Sequence, residues 1–340
     1  MKKYSNRYMA TCVPGMEFVA ADEIKEVIKN INNLSVTRGK VIFDRYQLAD
    51  FNNLKCIDNL YKLYRTFFVG SRKADLLEIG RYLKDIDFDM SGKAPSRIIV
   101  SAGRSGKHTY SRYDISNQVE NILVSTGNFI IGDNLNHDLA VRVDIIDNSC
   151  VIYKQLTHSE MRFRGDNFNT AQGGIRPPLA HCLVRLSQPK NDDIFYDPFC
   201  GAGTIPFERL NYKSKKIFAS DYNNDVLEIA RRNLSKSVIV FCADAVKSNM
   251  KDNSVDKIVT NMPWGKQIAV ENIDILYLDF LKEVKRILTV NGKAVILTDQ
   301  TVITENLCNE LELNCSRITE LSLHGLHPVV FMISKHGEVN

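Results

Sequence analysis

The sequence predicts an α/β chain of two unlike halves: small α+β layers first, then a doubly wound parallel sheet that closes on an antiparallel hairpin. Three observations carry this. From Ile194 onward, short β-prone apolar runs alternate regularly with segments of helical spacing. The first of these runs, Ile194–Asp197, opens directly onto a glycine-rich turn and a helix, the order that places a ligand at the carboxyl end of a parallel sheet. The last two runs, Arg317–Leu323 and Val329–Ile333, have only a short turn between them, and a parallel pair would need a long crossover.

The elements follow in order. Tyr8–Val13 reads as a strand broken by Pro14-Gly15, and Met16–Ile28 as a helix carrying Phe18, Val19, Ile24, Val27 and Ile28 at helical spacing. Val36–Phe43 and Leu60–Val69 read as strands with a helical Tyr46–Leu54 between them, and Ala74–Leu83 as a further helix. A second unit opens at Pro95. It has a strand Arg97–Ala102, the basic loop Gly103–His108, a helix to Val124 with Asp114 as its N-cap, and strands Ala140–Ile146 and Cys150–Leu156 about the turn Asp147-Asn148. Thr157–Gly174 is polar and reads as a linker, and Pro177-Pro178 suits the first turn of the helix Leu179–Leu186. Strands are then expected at Ile194–Asp197, Lys216–Ser220, Val238–Cys242, Lys257–Thr260 and Lys293–Leu297, before the final hairpin. The intervening helices are Thr204–Leu210, Asp225–Leu234, Ile275–Leu288 and Ile303–Leu311.

Composition narrows the class. No apolar run of the 340 residues approaches a membrane span, and charges interrupt the start where a signal peptide would need an apolar stretch. The eight cysteines are scattered without a CxxC pair, which suits a reduced, cytoplasmic protein with no structural metal. His181, on the helix after Pro178, is expected to be packed or capping. The net charge of +4 lies in the first 166 residues, which hold 24 Lys and Arg against 20 Asp and Glu. Between Ser91 and Tyr113 stand Lys93, Arg97, Arg104, Lys107 and Arg112 with no acid among them, a candidate surface for a polyanion.

Two turns carry chemistry. The first is Asp197-Pro198-Phe199-Cys200-Gly201-Ala202-Gly203-Thr204, where glycines let a ligand approach the backbone. Asp221, at the end of the next strand and followed by Tyr222, can accept from two ribose hydroxyls; Asp244, followed by Ala245, ends the third strand within reach of an adenine edge. Pro206 stands where a dinucleotide fingerprint has its third glycine, and the lysine of a P-loop is absent. The second turn is Asn261-Met262-Pro263-Trp264-Gly265-Lys266, which contains the single Trp of the chain. The lone pair of an exocyclic base amine is delocalised into the ring. Two acceptors on its protons, Asn261 Oδ1 and a turn carbonyl such as that of Met262, localise it on nitrogen, while Trp264 stacks on the base. Asn261 is neutral, so orientation and fixed dipoles do the work.

Asp197–Glu208 (DPFCGAGTIPFE) together with Asn261–Lys266 (NMPWGK) resembles the methyltransferases that use S-adenosylmethionine (AdoMet) and carry an N-terminal THUMP RNA-binding domain, in particular the archaeal and bacterial tRNA guanine-N2 methyltransferases. Arg104–His108, Asp114, Ala140–Ile146 and Arg162-Phe163-Arg164-Gly165 resemble the THUMP part. The resemblance implies a ferredoxin-like domain over residues 1–90, a THUMP domain over 91–165 and a Rossmann-like methyltransferase domain over 166–340. It implies AdoMet contacts from Asp197, Cys200, Gly201, Gly203, Thr204, Asp221, Tyr222, Asp244, Ala245 and Asn261. Asn261, Met262, Pro263 and Trp264 would form the base pocket; Arg104, Lys107, His108, Arg112, Arg162, Arg164 and Lys266 would touch RNA at the acceptor-stem end of tRNA. Met262 stands where adenine-N6 enzymes carry Pro, which favours guanine, and Gly173–Pro178 departs from the His-containing stretch of the family. The expected protein is a monomer acting on tRNA. The rivals are a ribosomal RNA guanine-N2 enzyme, an adenine-N6 DNA or RNA enzyme, and an RNA-binding protein with an inactive methyltransferase fold.

Overall fold

The computed structural model of the chain describes residues 6–45, 51, 53–90, 95–165, 168–169, 171, 173–265, 272–323 and 325–335. The N-terminal half is one continuous eight-stranded sheet. Its strands are β1 (Arg7–Thr11), β2 (Asn32–Thr37), β3 (Lys40–Asp44), β4 (Asn59–Phe68), β5 (Ser96–Ser105), β6 (Phe129–Ile131), β7 (Leu139–Ile146) and β8 (Ser149–Gln155). They lie in the order β2-β3-β1-β4-β8-β7-β5-β6. The antiparallel pairing of β4 with β8 joins the two layers that the sequence suggested, so their edge strands cover one another. Helices α1 (Glu17–Val27), α2 (Ile79–Leu83) and α3 (Arg112–Val124) pack on this sheet.

Several boundaries differ from expectation for local reasons. Val36–Phe43 is not one strand but the end of β2 and most of β3, because Gly39 turns the chain with φ +72°. The N-cap of α3 is Ser111 rather than Asp114. Asp114 is the other half of a capping box, its carboxylate accepting from the Ser111 N–H at 2.8 Å. Lys73–Glu78 is a 3-10 turn that leads into α2, and the expected linker holds a short helix, α4 (Ser159–Phe163). The helix expected over Tyr46–Leu54 falls largely outside the described residues.

The C-terminal half contains α5 (Pro177–Leu186), β9 (Ile194–Asp197), α6 (Thr204–Arg209), β10 (Lys216–Asp221), α7 (Asn224–Asn233) and β11 (Val238–Cys242). It continues through β12 (Val255–Asn261), α8 (Ile273–Ile287), β13 (Leu288–Thr298), α9 (Thr301–Glu310), β14 (Asn314–Glu320) and β15 (Val329–Ser334). The sheet order is β11-β10-β9-β12-β13-β15-β14, with β15 antiparallel to both neighbours and the others parallel, as the alternation and the short final turn predict. The order reverses between β9 and β12, so a crevice opens above their carboxyl ends.

The halves meet through a shared core of α1 and α5 and through a buried ionic network. Arg164 donates to Glu208 at 2.7 Å and to the Lys55 carbonyl at 2.8 Å. Glu208 also receives His181 Nδ1 at 2.9 Å, while His181 Nε2 lies 3.4 Å from Glu23 Oε1. The other Glu23 oxygen accepts the Lys55 and Cys56 N–H groups. Two carboxylates thus face two cations. Burial works against the imidazolium, but the two glutamates outweigh it and hold the His181 pKa above its ordinary value; burial likewise opposes ionisation of Glu23, and His181 with the backbone donors holds it low. His181 is therefore packed, as expected from sequence. Arg164, expected at the RNA, is instead committed to this network with 8% of its side chain exposed.

The linkage gives a test. A raised His pKa contributes stability that is complete below the unfolded value of about 6.5 and lost as pH rises through the folded value; a depressed Glu23 contributes above about 4.5 and is constant over the same range. His181→Gln should cost about 3–5 kcal/mol near pH 6, because it leaves excess buried negative charge. The gap in denaturation midpoint between wild type and variant should shrink steadily toward pH 9. A gap independent of pH would show that His181 is not held as the cation.

Candidate active site at the switch point of the sheet

A cavity of about 470 Å³ fills the crevice above β9 and β12. Five segments wall it: the turn after β9, the end of β10 with the start of α7, the turn after β12, residues 171 and 173–176 leading into α5, and the connection between β14 and β15. Asp197, the last residue of β9, is 1% exposed. Its Oδ1 accepts from Thr260 Oγ1 at 2.8 Å and from the Phe199 N–H at 3.2 Å, and its Oδ2 is buried without a hydrogen-bond partner. Burial pushes this carboxyl up to about 8.

The glycines of the turn have different reasons to be glycine. Gly203 takes φ +86°, and a Cβ there would lie 2.8 Å from Leu234. Gly201 takes φ +50°, and a Cβ would meet nothing within 4 Å, so its outer side is open to a ligand. Asp221, at the end of β10, accepts the Gly201 N–H at 3.0 Å through one oxygen and the Asn223 N–H at 3.0 Å through the other. It therefore fixes the turn, and each oxygen keeps a lone pair for a further donor. Cys200, Thr204 and the exposed Tyr222 also line the cavity.

The turn after β12 is held from behind. The Met262 N–H bonds the Leu297 carbonyl at 3.1 Å, Tyr277 Oη donates to the Pro263 carbonyl at 3.0 Å, and Gln300 Nε2 donates to the Trp264 carbonyl at 3.0 Å. Asn261 Nδ2 donates to the Gly173 carbonyl at 3.3 Å, which turns Oδ1 the other way; Oδ1 is buried and has no partner. Trp264 lines the cavity, and its Nε1 is likewise buried without an acceptor. The Met262 side chain, by contrast, is 2% exposed and belongs to the core beneath the turn, so only its backbone can meet a substrate.

The structure does not bring every expected residue here. β11 ends at Cys242, and the next turn leaves Asp244 exposed with its carboxylate on the Val246 N–H, while Ala245 packs into the core; neither lines the cavity. Arg104, Lys107 and Arg112 are exposed on the N-terminal sheet and the start of α3. His108 is tied to the Asp147 carbonyl and packs against Tyr110, and Arg162 lies 4.4 Å over the Phe163 ring. Lys266 lies outside the described residues. Sequence reasoning missed Tyr277 and Gln300, which nothing local marks because each reaches the site only through the fold; the stretch holding Gly173, Gly174 and Arg176 it marked only as a departure from the family pattern.

Residues 164–328 match the family described as RMKL-like, methyltransferase domain. The C-terminal half of this chain is an AdoMet-dependent methyltransferase domain that resembles this family. A tRNA (guanine(6)-N2)-methyltransferase from Archaeoglobus fulgidus is 24% identical over 96% of this chain and 92% of its own length. The crystal structure of TrmN from Thermus thermophilus superposes with a TM-score of 0.83 at 22% identity, covering 97% of this chain and 99% of that one. A predicted N6-adenine-specific DNA methylase from Listeria monocytogenes superposes at 0.73 with 16% identity over 96% of each chain, so the fold by itself does not choose the base. Among the described residues no helix is long and apolar enough to cross a membrane.

AdoMet is the cofactor of this methyltransferase domain, and the residues present fit it. The orphaned Asp197 oxygen and Asp221 face a ligand whose sulfonium and ammonium are cationic, and the open side of Gly201 leaves room for it. A cationic ligand favours the ionised form of Asp197, so binding should expel a proton from a carboxyl that titrates near 8. AdoMet affinity should fall by up to about tenfold per pH unit below that value, and Asp197→Asn should flatten the profile. Calorimetry in buffers of different ionisation enthalpy measures the proton directly, and wild-type affinity that does not change with pH would rule the coupling out.

Proposed function

We propose that the protein transfers a methyl group from AdoMet to the exocyclic N2 of a guanosine in tRNA, in the acceptor-stem region, with position 6 taken from the name of the archaeal relative. The observation that carries the amine chemistry is Asn261 Oδ1, a buried acceptor without a partner on the cavity wall, aimed by the bond from its own Nδ2 to Gly173. The choice of guanine over adenine rests on the relative named as a guanine-N2 enzyme over nearly its whole length.

The amine presents two protons. Asn261 Oδ1 accepts one. The second falls to the Met262 carbonyl, since the Pro263 and Trp264 carbonyls are taken by Tyr277 and Gln300. With both protons held, the nitrogen lone pair is turned out of conjugation toward the cofactor side of the cavity. Bound AdoMet supplies a methyl group made electrophilic by its sulfonium. Trp264 offers the flipped base a stacking face, and solvent takes the proton released from nitrogen. Residues 1–90 and 91–165 act, on this reading, as the ferredoxin-like and THUMP units that hold the tRNA. Exposed Arg104, Lys107 and Arg112 face its phosphates, Arg112 stacked 4.9 Å over Tyr113.

Asn261→Ala should lower single-turnover methylation of tRNA by about 10²–10³, the scale of losing one preorganised hydrogen-bonding group. Trp264→Ala should cost about 1–3 kcal/mol of stacking. Both variants should keep wild-type AdoMet affinity in calorimetry. Undiminished turnover in Asn261→Ala would remove the amine-orienting mechanism.

A further inference from the structure

The charges on the cavity wall are three: the carboxylates of Asp197 and Asp221 and the guanidinium of Arg176, its one cation among the described residues. Bound AdoMet carries a sulfonium, an ammonium and an α-carboxylate. The cofactor's one anion thus has one cation on the wall to meet it, while Asp197 is left for the cofactor's cationic groups and Asp221 for its ribose hydroxyls. Arg176 is the N-cap residue of α5, on the segment whose Gly173 carbonyl orients Asn261. Its Nη1 lies 3.1 Å from Asp58 Oδ1, which comes from the N-terminal half just before β4. The ion pair engages the guanidinium at Nη1 and steadies it. The donors on Nε and Nη2 remain for an anion inside the cavity.

We propose that Arg176 is the anion-holding residue of this site, that the anion is a carboxylate or phosphate oxygen pair, and that it belongs to the α-carboxylate of the cofactor, with a phosphodiester beside the target nucleotide as the other source of the same chemistry. This rests on the AdoMet reading above and deepens it. It assigns a task to the stretch Gly173–Pro178, and it makes the seating of the N-terminal half, through Asp58, part of the cofactor site.

The test compares AdoMet with its decarboxylated form, which lacks only the carboxylate. Wild type should prefer AdoMet by about 10- to 100-fold in calorimetry, the worth of a charge-assisted bidentate bond. Arg176→Gln should bring the two affinities to within about threefold of each other, and Arg176→Lys should restore part of the preference. Since both ligands are measured on the same folded variant, a general loss of structure would lower both affinities and leave their ratio. The tRNA arm reads the salt dependence of tRNA binding. A slope shallower by about one phosphate in Arg176→Gln, with the AdoMet preference intact, assigns the anion to RNA. An unchanged preference together with an unchanged salt slope overturns the proposal. Failure of wild type to bind AdoMet would overturn the cofactor reading itself, whereas equal affinity for the two ligands in wild type, with the salt slope unaltered in the variant, would overturn Arg176 alone.

Discussion

Parallel pairing of β9 with β12 sets Phe195 beside Lys257 and Tyr196 beside Ile258, and everything chemical in the molecule depends on that register. It puts two turns, far apart in the chain, on the same rim. Thr260 Oγ1 then reaches Asp197 across the seam at 2.8 Å, tying the cofactor turn to the catalytic turn. A shift of one residue would carry Thr260 to the other face of the sheet and leave Asp197 buried with neither its hydroxyl partner nor a neighbour at Asn261. The site can keep unpaired acceptors because the surrounding groups are fully engaged: Tyr277, Gln300, Leu297 and Gly173 all spend their hydrogen bonds on holding the turn rather than on filling the cavity. Preorganisation of this kind places the cost of orienting dipoles in folding, not in the reaction.

The N-terminal half is seated by contacts that leave it little freedom. Besides the ionic network around His181, the Pro14-Gly15 turn is pressed against the end of β14. The Ser322 N–H bonds the Pro14 carbonyl at 3.1 Å, Thr319 Oγ1 bonds the Gly15 carbonyl at 2.9 Å, and a Cβ at Gly15 would lie 2.5 Å from the Glu320 carbonyl. The β14–β15 connection that follows carries Leu323 and Leu326 onto the cavity wall. The N-terminal sheet is thus fixed relative to the pocket on two sides, by α1 against α5 and by this turn. On the function proposed above, that rigid distance is what would select one nucleotide by its place in a folded RNA.

What was legible in the sequence is what is local. The glycine-rich turn, the Asn-Met-Pro-Trp turn and the strand–helix rhythm are written in neighbouring residues, and the structure places them as read. Arg164 was misread because its meaning depends on Glu208, 44 residues further on, and on a carbonyl at Lys55. Read alone, an arginine beside other basic residues looks like an RNA contact. Asp244 was read as ending the third strand, but β11 closes two residues earlier, at Cys242, and Asp244 sits in the turn that follows. Ser111 outranked Asp114 because both satisfy a cap, and only the backbone decides which stands outside the helix. Gly173 and Arg176 showed only as part of a stretch that departs from the family pattern, since their partners Asn261 and Asp58 are distant in the chain.

The central claim is that Asn261 Oδ1 and the turn above β12 receive the N2 amine of guanosine. Nucleoside analysis of tRNA digested after methylation with isotope-labelled AdoMet tests it most directly. The account predicts the label in N2-methylguanosine. Label in N6-methyladenosine would contradict the choice of base while sparing the amine chemistry, and label on a ring carbon or a ribose oxygen would contradict the mechanism, because neither atom presents two protons to Asn261 and the turn.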